Sequence, residues 1–103
     1  MIFTNGVGPS KDQKAREKMW HLIGSGKHGR SIGGFWQHML VAEGAADVAM
    51  DLTSKPWDLA PLLLIVEEAG GRSTTRTGER SIYNGDLLST NGKLHDDVLK
   101  ILR

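Results

Sequence analysis

The sequence contains no cysteine, little proline and no long hydrophobic run. None of its 103 residues is Cys, and three are Pro. The absence of Cys excludes a disulfide framework, a zinc site with thiolate ligands and a cysteine nucleophile, and it is consistent with a reducing compartment. The longest apolar run, 62–66, is too short to cross a bilayer, and the amino terminus lacks the pattern of a signal peptide. We therefore expect a cytoplasmic protein.

An excess of charge of one sign is also absent. The 13 Lys and Arg stand against 12 Asp and Glu, which gives a formal net charge of +1. This balance excludes a strong bulk electrostatic attraction to nucleic acid or to an anionic membrane, and we expect neither as a partner. The apolar fraction of 39% and the charged fraction of 24% are typical of an ordinary globular protein. The length allows one domain, residues 1–103, with a single core.

Strand-like and helix-like segments alternate along the chain. The spacing of apolar residues predicts helices over 11–23, 35–43, 59–69 and 94–102, and strands over 2–4, 30–32, 46–52, 72–75, 81–84 and 87–90. Gly44 directly follows the second helix and is expected at its C′ position. The alternation predicts the α/β class, with a mixed, partly parallel sheet flanked by helices.

The segment 24–29 matches the pattern G-x-G-x-x-G, which is typical of dinucleotide binding. That motif has to follow a strand and open a helix, because the pyrophosphate binds at the helix amino terminus. Here it follows the predicted helix 11–23, and His21 stands where a P-loop has its first glycine. We interpret the segment as a connecting loop, and a nucleotide-binding domain is the less favoured hypothesis.

The histidines of the chain show no spacing that is typical of a metal site. They are His21, His28, His38 and His95. We expect them to be surface or half-buried residues without a further role.

Asp58 stands at the amino terminus of the predicted helix 59–69. The free amides and the macrodipole there favour an ionised carboxylate, which suits Asp58 either as the N-cap or as a ligand of a divalent cation. With Asp58 as N-cap, Pro61 occupies the N3 position, where its missing N–H loses no intrahelical bond. From the residues alone, the plain N-cap is the favoured interpretation and the cation ligand is the alternative.

Four segments of the chain together resemble the inositol monophosphatase family. The segment 56–71 is similar to its carboxyl-terminal signature, in which Trp-Asp is followed by small residues, an apolar helix and Glu-Ala-Gly-Gly. The segments 30–36 and 40–47 resemble the family's Arg-x-x-Gly stretch and the helix and strand after it. The Gly-x-Phe-Trp and Val-Ala-Glu-Gly-Ala variants, and the segment 89–96, are most similar to the histidinol-phosphatase branch.

The resemblance implies a phosphatase that uses Mg²⁺ to remove phosphate from a small alcohol such as histidinol phosphate or an inositol phosphate. It implies Asp58 as a metal ligand and Asp51 as a contact to the hydroxyl-bearing part of the substrate. It also implies that Gly33, Gly34 and Phe35 form a loop that approaches the substrate. Gly34 stands where this branch usually has Asp, so the resemblance implies no polar side-chain contact to the substrate from this position. No residue of the chain is assigned as catalytic.

The family's other acidic motif, Asp-Pro-x-Asp-Gly-Thr, does not occur in this sequence. The resemblance therefore implies a carboxyl-terminal half that lacks most metal ligands and is inactive alone. Without its amino-terminal half, such a domain exposes an apolar patch, so we expect a homo-oligomer or pairing with a separate amino-terminal half. The alternative function is a non-catalytic module that persists through the same association.

Overall fold

The computed structural model describes residues 1–5, 13–26, 29–30, 35–52 and 54–102. Strands and helices alternate along these residues, as the apolar spacing predicts, except that the last two strands follow each other directly. The elements are β1 (Ile2–Asn5), α1 (Gln13–Ser25), β2 (Gly29–Arg30), α2 (Trp36–Ala42), β3 (Val48–Asp51), α3 (Pro56–Glu68), β4 (Arg72–Thr74), β5 (Leu87–Thr90) and α4 (His95–Leu102). The predicted α/β class is confirmed.

The strands of the described residues form a five-stranded mixed sheet in the order β2-β1-β3-β5-β4. Strand β1 runs parallel to both β2 and β3, whereas β5 runs antiparallel to β3 and β4. In this register, Ala49 of β3 pairs with Ser89 of β5, and Ser89 also pairs with Ser73 of β4. Three small side chains therefore lie in one row across the sheet.

Helices cover both faces of the sheet. On one face, α1 and α4 bury an apolar cluster of Ile2, Leu22, Val48, Met50, Leu88, Val98, Leu99 and Leu102. On the other face, α2 and α3 bury two smaller clusters, Phe3, Val41, Ala46 and Ala49, and Leu59, Leu62, Leu63 and Leu87. Because successive strand residues point to opposite faces, β3 contributes Val48 and Met50 to the first face and Ala49 to the second. Asp51, two residues after Ala49, points to the α2–α3 face as well.

Helices α2 and α3 both end in a glycine turn that returns the chain to the sheet. After α2, Gly44 has φ +86° and its N–H donates to the carbonyl of Val41, so the predicted C′ position is confirmed. After α3, the N–H of Gly71 donates to the carbonyl of Val66, and a Cβ at Gly71 would lie 2.5 Å from the carbonyl oxygen of Thr90. Only glycine allows this close approach of α3 to the neighbouring strand.

Some predicted boundaries are wrong. The segment 81–84 forms bends and no strand, because its backbone bonds are local: the Ser81 N–H donates to the Glu79 carbonyl and the Tyr83 N–H to the Ser81 hydroxyl. Helix α3 begins at Pro56, three residues before the predicted start. Helix α1 continues through Gly24 to Ser25, so no strand precedes the glycine-rich segment. Residues 11–12, 27–28 and 31–32, over which parts of these predictions extend, lie outside the described residues.

Within the parts of the chain that the structure describes, no helix combines the length and the apolar character needed to cross a membrane.

Candidate functional site

Asp51 ends β3 as a buried carboxylate, 2% exposed, that faces α2. Its Oδ1 accepts a hydrogen bond of 2.6 Å from Gln37 Nε2, and its Oδ2 lies 3.1 Å from His38 Nε2. Gln37 and His38 are consecutive residues of the first turn of α2, and both are fully buried. One turn of helix therefore supplies a partner for each oxygen of the carboxylate, as a buried charge requires.

The hydrogen bonds continue from His38 across the sheet. His38 Nδ1 lies 2.7 Å from the Ser89 hydroxyl, which lies 2.8 Å from the Ser73 hydroxyl. All of these side chains are buried. The row of small residues described above leaves room for the imidazole ring between α2 and the sheet. We call Gln37, His38, Asp51, Ser73 and Ser89 the Asp51 network.

One polar atom of this network has no partner in the described part of the chain. The buried Gln37 Oε1 accepts no hydrogen bond there, although Gln37 Nε2 is engaged with Asp51. An unsatisfied buried acceptor costs about 1–3 kcal/mol. The Gln37 side chain thus contributes to the network through its amide nitrogen, which donates to Asp51, and not through its carbonyl oxygen.

Asp58 lies in the first turn of α3, and its side chain is exposed. The predicted N-cap is wrong, because α3 begins with Pro56 and Lys55 occupies the N-cap position. Pro56 suits the first helical turn, where its missing N–H loses no intrahelical bond. Asp58 is therefore the third helical residue, where the positive end of the macrodipole still favours a carboxylate.

The same shift of the helix start changes the environment of Pro61. The predicted N3 position is wrong, since Pro61 lies inside α3. At this depth a residue with an N–H would donate to the carbonyl of Trp57, four residues earlier. Pro61 cannot make this bond, and it destabilises the helix rather than starting it.

The described site residues gather at one end of the sheet. Asp51 is the last residue of β3, and its partners Gln37 and His38 lie in the first turn of α2. Four residues connect β3 to α3, and Asp58 lies in the first turn of α3. Phe35 directly precedes α2, is 60% exposed and packs edge-to-face on Trp36, with ring centroids 6.3 Å apart. Gly33 and Gly34 lie outside the described residues. The carboxyl end of β3 and the amino ends of α2 and α3 thus lie at one corner of the sheet.

These carboxylates do not by themselves form a magnesium site. Among the described residues no group of three or more His, Cys, Asp or Glu side chains is placed to hold a metal ion. Mg²⁺ requires close to octahedral coordination by oxygen atoms. Asp58 offers one exposed carboxylate, whereas the Asp51 oxygens already face Gln37 and His38. Further ligands would have to come from outside the described residues.

Two histidines contradict the expectation of surface or half-buried residues: His38 and His95 are fully buried. His95 opens α4 on the other face of the sheet, with Nε2 2.7 Å from the Thr74 hydroxyl and Nδ1 3.0 Å from the Thr90 hydroxyl. Burial, and after it the positive charge of Arg72, lowers the pKa of His95 to about 4. His21 is exposed, as expected, and His28 lies outside the described residues.

The signal for these buried histidines is the run of hydroxyl side chains in two strands. Strand β4 reads Arg-Ser-Thr and β5 reads Leu-Leu-Ser-Thr, and Ser73, Thr74, Ser89 and Thr90 are all buried. Buried hydroxyls require hydrogen-bond partners, and alternation sends one Ser pair and one Thr pair to opposite faces. The Ser pair lies on the face of the sheet that carries His38, and the Thr pair lies on the face that carries His95.

Comparison with known proteins matches residues 6–103 to the model of the inositol monophosphatase family. Over 70 residues the chain is 47% identical to a histidinol-phosphatase of Mycobacterium tuberculosis, covering 68% of this chain and 27% of that protein. Over 73 residues it is 40% identical to a histidinol-phosphatase of Streptomyces coelicolor, covering 71% of this chain and 27% of that protein. The matched part thus spans about a quarter of the length of these relatives.

The fold is also similar to that of solved structures. An inositol monophosphatase from Zymomonas mobilis superposes with a TM-score of 0.88 at 17% identity, over 98% of this chain and 41% of that one. An inositol monophosphatase from Anabaena superposes with a TM-score of 0.84 at 27% identity, over 98% of this chain and 42% of that one. The mixed sheet between two helical layers is therefore the arrangement found in one part of the inositol monophosphatase fold.

Proposed function

Because this chain belongs to the inositol monophosphatase family, we propose that it is the carboxyl-terminal part of a magnesium-dependent phosphomonoesterase. Residues 1–103 form one domain of that enzyme. The substrate is a small phosphorylated alcohol of the histidinol phosphate type, with an inositol phosphate as the second choice. The histidinol-phosphatases among its relatives support the first.

One observation carries this proposal: two carboxylates with different environments lie at the same corner of the sheet. Asp51 is buried, and each of its oxygens is held by one hydrogen bond from α2, which leaves a second lone pair on each oxygen for a fixed contact with a hydroxyl of the substrate. Asp58 is exposed and unused as a cap, which suits it to bind a cation. Gly33, Gly34 and Phe35 are proposed to approach the substrate beside them.

Magnesium is the proposed metal of the complete site, with Asp58 as one of its ligands. The remaining ligands are proposed to come from the amino-terminal half of the complete enzyme, since the described residues offer no cluster that could hold the ion. The chain alone is accordingly proposed to lack phosphatase activity.

A second candidate function, a non-catalytic module that associates with itself or with a separate half, is favoured by the exposed side of α3. Its outer face, defined as Trp57, Ala60, Pro61, Leu64 and Ile65, is apolar and exposed. The exposed fractions of Trp57, Leu64 and Ile65 are 73%, 56% and 44%. The opposite side of α3 packs on the sheet. A helix that is apolar on all sides is normally enclosed between two layers, so this face suits a partner.

A phosphatase assay with magnesium separates these candidates. The purified chain is assayed alone and together with the amino-terminal half of a related histidinol-phosphatase, on histidinol phosphate and on inositol phosphate. We expect turnover only from the mixture, and faster on histidinol phosphate. Stable association that never restores turnover would instead favour the non-catalytic module. Robust turnover by the chain alone would contradict the division of the metal site between two halves.

A further inference from the structure

When the histidine ring is neutral, each hydrogen bond of the Asp51 network from Ser73 through Ser89 and His38 is donated toward the Asp51 carboxylate. An ionised carboxylate only accepts hydrogen bonds, and a neutral imidazole carries one N–H. His38 Nε2 faces Asp51 Oδ2, so that nitrogen carries the hydrogen. Nδ1 is then an acceptor and takes the hydroxyl hydrogen of Ser89. Ser89 in turn accepts from Ser73.

This series of hydrogen bonds connects strands that are remote in sequence to a single carboxylate. Ser89 and His38 are 51 residues apart, and His38 and Asp51 are 13 residues apart. The register places Ser73, Ser89 and Ala49 in one row, so the ring is held between α2 and the sheet with a hydroxyl on one side and a carboxylate on the other. Both ring nitrogens are occupied, and the ring has no exposed surface.

The order Asp–His–Ser does not make Ser89 a nucleophile. Ser89 is fully buried, and its hydroxyl contacts His38 and Ser73 only among the described residues. A nucleophile has to reach a substrate atom at about 3 Å, but the Ser89 hydroxyl lies between the His38 ring and the Ser73 hydroxyl, on the side of the ring away from Asp51. The network therefore acts through Asp51, the one member that is proposed to contact the substrate.

We propose that His38 is a positioning residue for substrate binding. Its Nε2–H, fixed by the hydroxyl of Ser89 on the other nitrogen, orients the Asp51 carboxylate toward the alcohol part of the substrate. Gln37 holds the second oxygen of the same carboxylate. The inference rests on the proposed function, because it requires that Asp51 contacts the substrate.

Two substitutions of His38 separate positioning from simple packing. In His38→Gln, the amide Nε2 takes the place of the ring Nε2 and can still donate to Asp51. In His38→Asn, the shorter amide replaces ring Nδ1 and can still accept from Ser89, but it does not reach Asp51. Each variant keeps one of the two bonds. We expect both to lose folding stability in urea unfolding, with the larger loss in His38→Asn, which leaves an oxygen of the buried carboxylate without its donor.

The kinetic readout is made on the enzyme reconstituted from this chain and the amino-terminal half. For His38→Asn we expect KM for the phosphomonoester to rise about ten-fold or more, with kcat changed by less than about three-fold. For His38→Gln we expect both constants to stay within about three-fold of wild type. Equal KM values for the two variants would overturn the positioning role, even where wild-type turnover upholds the proposed function.

The ring itself is examined in the full 103-residue chain by ¹⁵N NMR at pH 8, without any need for activity. We expect His38 to carry its hydrogen on Nε2 and none on Nδ1. A ring protonated on Nδ1, or on both nitrogens, would overturn the direction of the network. Absence of turnover from the wild-type reconstituted enzyme would refute the proposed function and the substrate contact of Asp51, while the NMR result would still stand for the chain.

Discussion

Acidification should destabilise this protein through His95, which is buried between β4, β5 and α4. The Thr74 hydroxyl donates to the Thr75 carbonyl and so accepts from His95 Nε2–H, while the Thr90 hydroxyl donates to Nδ1. A proton added to Nδ1 would have to displace the Thr90 donor inside a buried site, next to the positive end of α4. The folded state therefore holds this ring in its neutral form.

The magnitude follows from the pKa of His95 in the two states. Folding lowers it from 6.5 to about 4. Below pH 6.5 the unfolded chain binds a proton that the folded chain does not, so stability falls as the pH decreases, at up to about 1.4 kcal/mol per pH unit. The stability that the neutral His95 ring contributes is fully present above pH 6.5 and is lost by pH 4. The free energy of unfolding therefore differs by about 3 kcal/mol between these two pH values.

Urea unfolding from pH 8 to pH 4.5 tests this value, with wild type, His95→Gln and, as control, His21→Gln at an exposed position of α1. At pH 8, His95→Gln should be less stable than wild type by about 1–3 kcal/mol, because one of two buried hydrogen bonds is lost. Toward pH 4.5 this gap should shrink by about 2–3 kcal/mol, since the variant lacks the titrating ring. A gap that stays constant over this range, or a His95 resonance that titrates near pH 6.5, would refute the reasoning.

Three further predictions concern helix α3, the turn after it and its outer face. Pro61→Ala should raise the free energy of unfolding by about 1–3 kcal/mol, because alanine restores the missing bond inside α3; an unchanged urea midpoint would contradict the helix start at Pro56. Gly71→Ala should destabilise more than Gly44→Ala in thermal unfolding, because its Cβ would lie 2.5 Å from the Thr90 carbonyl oxygen, whereas nothing lies within 4 Å at Gly44. Leu64→Lys should shift sedimentation toward the monomer, whereas Lys100→Ala on α4 should not; identical profiles would exclude the outer face of α3 as the contact.

Elements that depend on local sequence could be predicted, and contacts between distant segments could not. The apolar spacing located all four described helices, and Gly44 marked the end of α2 because a C′ residue needs a positive φ. The segment 81–84 has strand-like residues, but its backbone groups are satisfied within local turns, which residue preferences do not register. Propensity is a weak guide where such competing bonds exist.

The candidate site was predictable to a similar extent. The position of Asp58 near the opening of α3 followed from the sequence, but its role as N-cap did not, because Pro56 at the first helical position moves the start of the helix. The burial of His38 could not be read from its neighbours, since the hydroxyl that holds it lies 51 residues away on β5. Such a partner is specified by sheet register, which the hydrophobic pattern of one segment does not fix.

The most direct test of the account is the turnover of the reconstituted enzyme after Asp58→Asn. Asparagine keeps the size of the side chain and removes the charge that a magnesium ligand supplies. Asp97→Asn, at an exposed position in the first turn of α4, is the matched control. We predict that Asp58→Asn lowers kcat/KM by about a thousand-fold or more, with unchanged folding and association, whereas the control retains full activity. Turnover that survives Asp58→Asn undiminished would contradict the central claim that this chain contributes a metal ligand to a phosphatase.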